Sequence, residues 1–301
     1  MRNVLTFLLL LFSLLCNGQS PKLFTTDKEL SSSLINQIYQ DRNGFIWIAT
    51  EDGLNRYDGA KFTIYKHEPN NEHSLAHNFV RTVFEDSKGH LLIGTYIGIQ
   101  MYDPATDNFT PLAKLEDTGE TLESNINSFI ERKNGEIWVS GNVLCKLDIK
   151  DHLLTVRKVD IAVTSPGSLF EDKKQNVWMA RGEEGVYQVT PEKQLTLHLS
   201  KDNGYVKSIC EDQRGNIYVG SIRKGLFIYD KERKTFVPVD LKEKGELPVC
   251  FLYSGIPNEL YIGTDGKGVA IYNIRTHEIS EYKFDNNYFD SGNSKIHSIL
   301  K

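Results

Sequence analysis

Apolar and polar residues alternate with a period of two along most of this chain, in short runs separated by turn residues. The first unit shows the pattern clearly. It has a lead-in strand NQIYQ from Asn36, a strand IWIAT from Ile46, a strand GLNRYD from Gly53 and a fourth strand KFTIYK from Lys61. Such alternation between turn signals predicts half-buried β-strands. The sequence therefore predicts an all-β chain built from units of four strands.

The four-strand unit recurs along the chain, and its first turn and second strand are the easiest parts to align. The copies are DRNGFIWIAT from Asp41, DSKGHLLIGT from Asp86, RKNGEIWVSG from Arg132, DKKQNVWMAR from Asp172, DQRGNIYVGS from Asp212 and a degenerate PNELYIGT from Pro257. Equivalent turn positions such as Gly44, Gly89 and Gly135 are 40 to 46 residues apart. This period with four antiparallel strands per unit is typical of β-propeller blades. We therefore predict a β-propeller of four-stranded antiparallel blades.

Six complete blades and the start of a seventh can be placed on this repeat. Residues 35–282 hold the six blades, and residues 283–301 begin a seventh with NSKIHSILK from Asn293. Residues 19–34 form the lead-in, where LFTT from Leu23 is expected to supply the outer strand of the last blade. We thus expect an incomplete seven-bladed ring and interpret the chain as the front fragment of a longer protein, with a truncated reading frame as the alternative.

The repeated turn combines Asp, which bonds its own backbone, with Gly, which accepts positive φ. Gln175 replaces that Gly in the fourth copy, so its turn is expected to differ locally. The Glu-Asp pairs that precede several turns, such as Glu171 and Asp172, point to opposite faces of a strand and are interpreted as turn formers. They are not interpreted as the carboxylate pair of a glycosidase.

Composition and charge narrow the function classes. The chain has 301 residues, of which 40% are hydrophobic, and a formal net charge of −5. This is a globular composition without the basic excess that nucleic-acid binding needs. Of the four cysteines, Cys16 is expected to be removed with an N-terminal signal, and the remaining Cys145, Cys210 and Cys250 are odd in number and widely spaced, so neither a disulfide framework nor a metal site is predicted. We expect no cofactor and no catalytic module.

The N-terminus has the pattern of a secretory signal peptide. Arg2 precedes an apolar stretch over residues 4–15, and cleavage is predicted near Gly18, giving a signal peptide over residues 1–18. Lipid attachment at Cys16 and an uncleaved anchor are the alternatives. The predicted location is the periplasm.

The pattern D-x-x-G-x-I-W-I-[AG]-T followed by G-L-x-x-Y-[DN], complete from Asp41 to Asp58, resembles the regulator-propeller repeats of periplasmic sensors in Bacteroidetes hybrid two-component systems. The resemblance covers residues 21–301. Leu92 at the Trp position, Arg181 at the Thr position and Val143 at a Gly position depart from the pattern. Those blades are expected to be irregular.

This resemblance implies the N-terminal portion of a sensor with a second propeller and a β-sandwich outside the membrane. A transmembrane helix anchoring the parent in the inner membrane would follow, then a cytoplasmic histidine kinase with receiver and DNA-binding modules. It also implies a homodimeric parent, an oligosaccharide or monosaccharide ligand, and regulation of polysaccharide utilisation. None of the later modules is present in this sequence.

Residues that vary between otherwise matching blades are where a site can be added to a repeated frame. The loops between the second and third strands vary most and should share one rim. Sugars and anionic glycans favour a ring to stack on and cationic side chains, so we nominate Tyr96, Arg181, Arg223 and Lys224 as ligand-binding residues. Three alternatives stay open: solvated loop charge, a scaffold rim that contacts another protein, and a propeller glycan lyase or hydrolase.

Overall fold

The computed structural model describes residues 23–26, 29–241, 247–282 and 295–300. The predicted signal peptide and residues 283–294 lie outside the described residues. Six sheets follow one another along the chain, and each has its main four strands in sequential order. No helix in the described ranges is both long and apolar enough to cross a bilayer.

The first three blades are built by residues 35–158. Their strands are β1 (Ile35–Gln40), β2 (Ile46–Thr50), β3 (Gly53–Tyr57) and β4 (Phe62–Tyr65) in blade 1, β5 (Val80–Glu85), β6 (Leu91–Thr95), β7 (Ile99–Asp103) and β8 (Asn108–Phe109) in blade 2, and β10 (Ser128–Glu131), β11 (Ile137–Ser140), β12 (Leu144–Lys150) and β13 (Leu153–Lys158) in blade 3. A fifth strand, β9 (Lys114–Leu115), pairs with β13 in parallel at the outer edge of blade 3.

The last three blades are built by residues 168–281. Their strands are β14 (Ser168–Glu171), β15 (Val177–Ala180), β16 (Val186–Val189) and β17 (Leu195–Leu199) in blade 4, β18 (Val206–Glu211), β19 (Ile217–Ser221), β20 (Gly225–Asp230) and β21 (Thr235–Pro238) in blade 5, and β22 (Val249–Ile256), β23 (Glu259–Thr264), β24 (Val269–Asn273) and β25 (Ile279–Glu281) in blade 6. A short 3-10 turn, Lys201–Asn203, precedes blade 5. The all-β propeller of four-stranded antiparallel blades is confirmed, with six blades.

In blades 1, 2, 4 and 5, the repeated Asp holds the first turn and the second strand together. In blade 4, Asp172 Oδ1 accepts the backbone N–H groups of Lys174 and Asn176 at 2.8 and 2.9 Å, and Oδ2 accepts the indole N–H of Trp178 at 2.9 Å. Asp41 makes the same three kinds of bond in blade 1. These buried carboxylates satisfy several donors at once, which explains the D-x-x-G-x-x-W spacing.

The turn at Gln175 has the same conformation as the glycine turns of other blades, although the sequence predicted a local difference. The φ of Gln175 is +67°, in the left-handed region that Gly44 and Gly135 also occupy, and its N–H donates to Asp172 O at 2.9 Å as in the other copies. The prediction of a locally different turn was wrong. The carboxylate of Asp172 organises the turn tightly enough to hold a non-glycine residue in this conformation.

The Glu of each Glu-Asp pair has a second role, because it links neighbouring blades. Glu171 of blade 4 accepts the backbone N–H of Lys133 at 2.7 Å and the Nε–H of Arg132 at 3.0 Å, both from blade 3. Glu85 of blade 2 contacts Arg42 of blade 1 in the same way. We call the face that carries these turns the lower face, and the opposite face, with the loops between second and third strands, the upper face.

The small residue near the end of the second strand makes room for the next blade. A Cβ on the glycines at this position would collide with an apolar residue at or near the start of the next innermost strand, or of the segment 295–300. The contacts are Gly94 on Ile126, Gly220 on Val249 and Gly263 on Ile296. The third of these contacts joins blade 6 to the segment 295–300.

Residues 295–300 occupy the gap between blade 6 and blade 1. Ile296 donates its N–H to Thr264 O at 2.9 Å, and Ser298 Oγ accepts the N–H of Ile38 at 3.2 Å. Ser208 makes the equivalent bond from blade 5 to Leu252 of blade 6 at 3.0 Å. The segment therefore lies where the innermost strand of a seventh repeat belongs, but within the described residues it forms one isolated bridge and no seventh blade is confirmed.

The expectation for LFTT is not met by the structure. Residues 23–26 are in no strand, and Phe24 packs its ring 5.1 Å from Tyr57 and 5.0 Å from Phe62 in blade 1. An aromatic contact with the outer strands of blade 1 takes the place of pairing with the last blade. The lead-in thus covers the first blade at this point.

The core lies between neighbouring blades. Trp47, Trp138 and Trp178 are buried there, as predicted for residues that fill inter-blade space. Where blade 3 has Arg132 in place of the turn Asp, its guanidinium lies over Trp138 at 4.5 Å, and the indole N–H donates to Glu136 instead. In blade 3, Arg132 and Glu136 therefore contact the tryptophan that the turn Asp contacts in blades 1 and 4.

Candidate functional site in the axial cavity

The innermost strands surround an axial cavity of about 710 Å³. A residue at the second position of each innermost strand, or directly before its first residue, lies on the wall, so that each repeat contributes a side chain or a glycine. These residues are Asn36, Arg81, Asn127, Gly167, Lys207 and Cys250, and His297 from the segment 295–300 takes the seventh position. The wall is thus a ring of structurally equivalent but chemically different positions.

Loops of the upper face also line the cavity. Phe79, Tyr205 and Ile222 supply apolar surface, and Arg181 and Glu183 supply charge. Tyr205 is 43% exposed, and its carbonyl accepts the N–H of Ile222 at 2.9 Å, which fixes the two loops to each other. An exposed ring beside polar groups can stack against the C–H face of a sugar.

Arg181 is the nominated residue that lies directly on the cavity. Its guanidinium donates to the carbonyl of Thr164 and lies 4.8 Å from the ring of Tyr187. Arg223 forms an ion pair of 3.2 Å with Glu183, a residue of the cavity lining, and both side chains are two-thirds exposed. The structure therefore brings two of the four nominated residues to the cavity or its edge.

Tyr96 and Lys224 lie farther from the cavity. The exposed ring of Tyr96 is 6.1 Å from Phe79, which lines the cavity. The backbone N–H of Lys224 donates to Ser221 Oγ at 3.2 Å, and this lysine is not part of the lining. Ligand binding by all four nominated residues stays a prediction.

The interior of the cavity is strongly cationic. The ammonium of Lys207 donates to His297 Nδ1 at 3.3 Å, and burial, together with Lys295 and Arg81, lowers the pKa of Lys207. Burial, Lys207 and Lys295 lower the pKa of His297 to about 4, so its imidazole is neutral near pH 7. Asp265 holds Lys295 at 2.9 Å and raises the pKa of that lysine.

Arg81 adds a second cation from blade 2. Its guanidinium lies 5.2 Å from the ring of Phe79, and its buried Nε–H has no hydrogen-bond partner in the described part of the chain. Buried donors in proteins are nearly always satisfied, so an unpaired one marks a place where water or a ligand binds.

These interior residues were missed by sequence reasoning, which considered only the upper-face loops. The signal was nonetheless present in the aligned repeats. The position after the first apolar residue of each innermost strand is Asn36, Arg81, Asn127 and Lys207 in four of the blades, and this variation is what a functional position in a repeated frame should show.

Cysteine and metal chemistry are not indicated at this site. Cys250 on the wall is buried, and burial raises the pKa of its thiol. Burial likewise raises the pKa of Cys210 to about 12. In the ranges that the structure describes, no group of three or more His, Cys, Asp or Glu side chains is arranged to hold a metal ion.

A family model described as "Two component regulator propeller" matches residues 29–52, 74–96 and 200–223. These three stretches of the chain are therefore repeats of the two-component regulator propeller kind. The three matched stretches contain the innermost strands of blades 1, 2 and 5, so Arg81 and Lys207 both lie within matched repeats.

The matched relatives are much longer than this chain. Histidine kinase P4 of Formosa agariphila is 39% identical over 83 residues, which are 25% of this chain and 6% of that protein. The extracellular domain of the hybrid two-component system BT3049 of B. thetaiotaomicron superimposes with a TM-score of 0.77 at 22% identity, over 93% of this chain and 39% of that one. BT4673 gives 0.73 at 17%, over 93% and 40%.

The propeller fold is also shared with enzymes. Virginiamycin B lyase of Staphylococcus aureus superimposes on this chain with a TM-score of 0.65 at 13% identity, over 88% of both chains. At this identity the likeness concerns the fold alone, and it transfers no lyase activity.

Proposed function

We propose that this chain is the periplasmic ligand-sensing portion of a hybrid two-component sensor histidine kinase. Its ligand is an oligosaccharide or monosaccharide, and its output is regulation of polysaccharide utilisation. The family repeats and the likeness to extracellular domains of hybrid two-component systems support the sensor role. The observation that carries the ligand-binding part is the axial cavity lined by chemically diverse positions of an otherwise regular repeat.

The size and lining of the cavity suit a small saccharide. Ligand cavities in proteins usually measure about 300–1,000 Å³ and combine apolar surface with a few polar groups. Here Phe79 and Tyr205 offer aromatic surface, and Asn36, Asn127 and Arg181 offer hydrogen-bonding groups. A ring of one or two sugar units can stack on Tyr205 while its hydroxyls bond to the wall.

The cavity wall couples the ligand to the whole ring, because each blade contributes to it. A ligand that contacts several blades favours one arrangement of blades and upper-face loops over others. We propose that this arrangement is read by the second propeller and the β-sandwich of the parent sensor, and then by a kinase dimer. The upper-face loops around Arg181 and Arg223 would form part of that contact.

Binding is tested by isothermal titration calorimetry of the full chain against a panel of neutral and acidic mono- and oligosaccharides. Tyr205→Ala should weaken binding of any hit at least about 10-fold, whereas Tyr282→Ala, a similarly exposed tyrosine outside the cavity lining, should leave the affinity unchanged. Absence of binding across the panel would favour an interaction scaffold. Shortening of an oligosaccharide by the protein alone would favour the lyase or hydrolase alternative.

The nominated upper-face residues are tested in the same titration. Arg181→Ala and Arg223→Ala should each lower the affinity, and Arg275→Ala, an exposed arginine in the β24–β25 turn, serves as the control. An unchanged affinity in both variants would remove these residues from the site. The regulatory part is tested by introducing Tyr205→Ala on the chromosome of the source bacterium and measuring polysaccharide-utilisation transcripts during growth on single glycans.

A further inference from the structure

We infer that the axial cavity binds an anionic group, a carboxylate or sulfate carried by a sugar-sized ligand, between Arg81 and Lys207. This inference rests on the proposed function, since it specifies the chemical class of the ligand for the same cavity. It adds a recognition site inside the ring that is separate from the upper-face residues nominated by sequence.

The charges of the lining are unbalanced in the interior. Of its four cationic side chains, Lys295 is paired with Asp265 at 2.9 Å, and Arg181 is held by carbonyls of a neighbouring loop. Arg81 and Lys207 form no ion pair with a carboxylate anywhere in residues 23–26, 29–241, 247–282 and 295–300. Two cations therefore face the cavity without an acidic partner.

Both cations have donors to offer. The Nε–H of Arg81 is buried and unpartnered, and a guanidinium presents its N–H groups in the fork geometry that matches a carboxylate or sulfate. Lys207 uses one of its three N–H groups on His297. Groups that have lost hydration without gaining partners favour an occupant that accepts hydrogen bonds and carries negative charge.

The two cations also repel each other across the cavity. Arg81 lies in β5 of blade 2 and Lys207 in β18 of blade 5, and the charge of Arg81 contributes to the lowered pKa of Lys207. An anion between them replaces this repulsion with two attractions. Two opposite blades would then be linked through the ligand.

The acidic residues of the lining orient the ligand. Glu51 and Glu183 belong to upper-face loops, whereas Arg81 and Lys207 lie on innermost strands. An acidic sugar would therefore place its anionic group in the ring and its neutral hydroxyls toward the upper face, beside Tyr205.

The test uses three probes in calorimetric titrations of the full chain at low and moderate salt. D-glucuronate carries a carboxylate, D-glucuronamide is its neutral isostere, and inorganic sulfate is an anion without a sugar. Arg81→Gln and Lys207→Met remove the two charges while retaining length. Arg275→Gln and Lys174→Gln remove exposed charges outside the cavity and serve as matched controls.

We expect D-glucuronate to bind at least about 10-fold more tightly than D-glucuronamide, and each cavity variant to lose at least about 10-fold while the controls keep the wild-type affinity. Equal affinity for both sugars, unaffected by Arg81→Gln, would overturn the inference and leave the proposed saccharide sensing intact. Sulfate binding that needs Arg81 and Lys207, without binding of either sugar probe, would support the anion site and overturn its assignment to a sugar-sized ligand. Absence of binding by all three probes would overturn the inference, and the wider saccharide panel then decides the proposed function separately.

Discussion

Trp178 donates its indole N–H to Asp172 Oδ2 at 2.9 Å, across the first turn of blade 4. Asp172 is 4% exposed, and its carboxylate also accepts three N–H groups from Lys174 and Asn176. A side chain with this many buried partners controls both the turn and the packing of the tryptophan between blades.

Asp172→Ala should lower the free energy of unfolding by about 2 kcal/mol or more, because it leaves buried donors without an acceptor. Urea unfolding followed by tryptophan fluorescence measures the change. Asp202→Ala, at an exposed aspartate in the short 3-10 turn, should change the stability by less than about 0.5 kcal/mol. Equal effects of the two variants would contradict the role given to the buried carboxylate.

Glu171→Ala should destabilise the ring by about 1–3 kcal/mol, since it removes the acceptor for the Lys133 N–H and the partner of Arg132. Glu171 and Arg132 are mostly buried, so the loss should persist in 0.5 M salt, where exposed ion pairs are screened. Glu123→Ala is the exposed control. A loss that disappears at high salt would contradict a buried inter-blade link.

The fold could be predicted from the sequence because a propeller repeats one local pattern. Alternation and the D-x-x-G spacing predict the strands and turns of each blade, and contacts within a blade are local in sequence. The error at Gln175 arose because residue preference alone was considered. The four hydrogen bonds of Asp172, which stabilise that turn whatever residue occupies it, are visible only in three dimensions.

The cavity was harder to predict from the sequence, because its lining depends on which face of each innermost strand points to the axis. Arg81, Lys207 and His297 come from distant repeats, and Lys207 and His297 are 90 residues apart when they form their bond. The upper-face residue Arg181 could be nominated because its loop departs from the repeat. Its position on the cavity is shown by the structure.

Ser298→Ala should speed hydrogen exchange of the Ile38 amide about five-fold, because a hydrogen bond of this kind contributes about 1 kcal/mol. Ser208→Ala is the matched comparison and should speed exchange of Leu252 to a similar degree. Similar effects on the two amides are expected if the segment 295–300 packs against blade 1 as β18 packs against blade 6. A faster Leu252 with an unchanged Ile38 would show that the segment is not docked in solution.

Docking of the same segment should depend on pH through His297. Its pKa is about 4 when docked, lowered by burial, Lys207 and Lys295 and opposed by Asp265, and about 6.5 when free. The free segment therefore takes up a proton at higher pH than the docked one. Docking is at full strength above about pH 6.5 and weakens as the pH falls toward 4.

Hydrogen exchange of the Ile296 amide, which bonds to Thr264 O at 2.9 Å, measures this docking once intrinsic exchange rates are divided out. Its protection should fall between pH 7 and pH 4.5 in the wild-type protein. In His297→Gln, which keeps a polar side chain but cannot gain a proton, protection should be independent of pH over the same range. A parallel decline in both proteins would assign the effect to other groups, because protonation of His297 is the step that places a third cation beside Lys207 and Lys295.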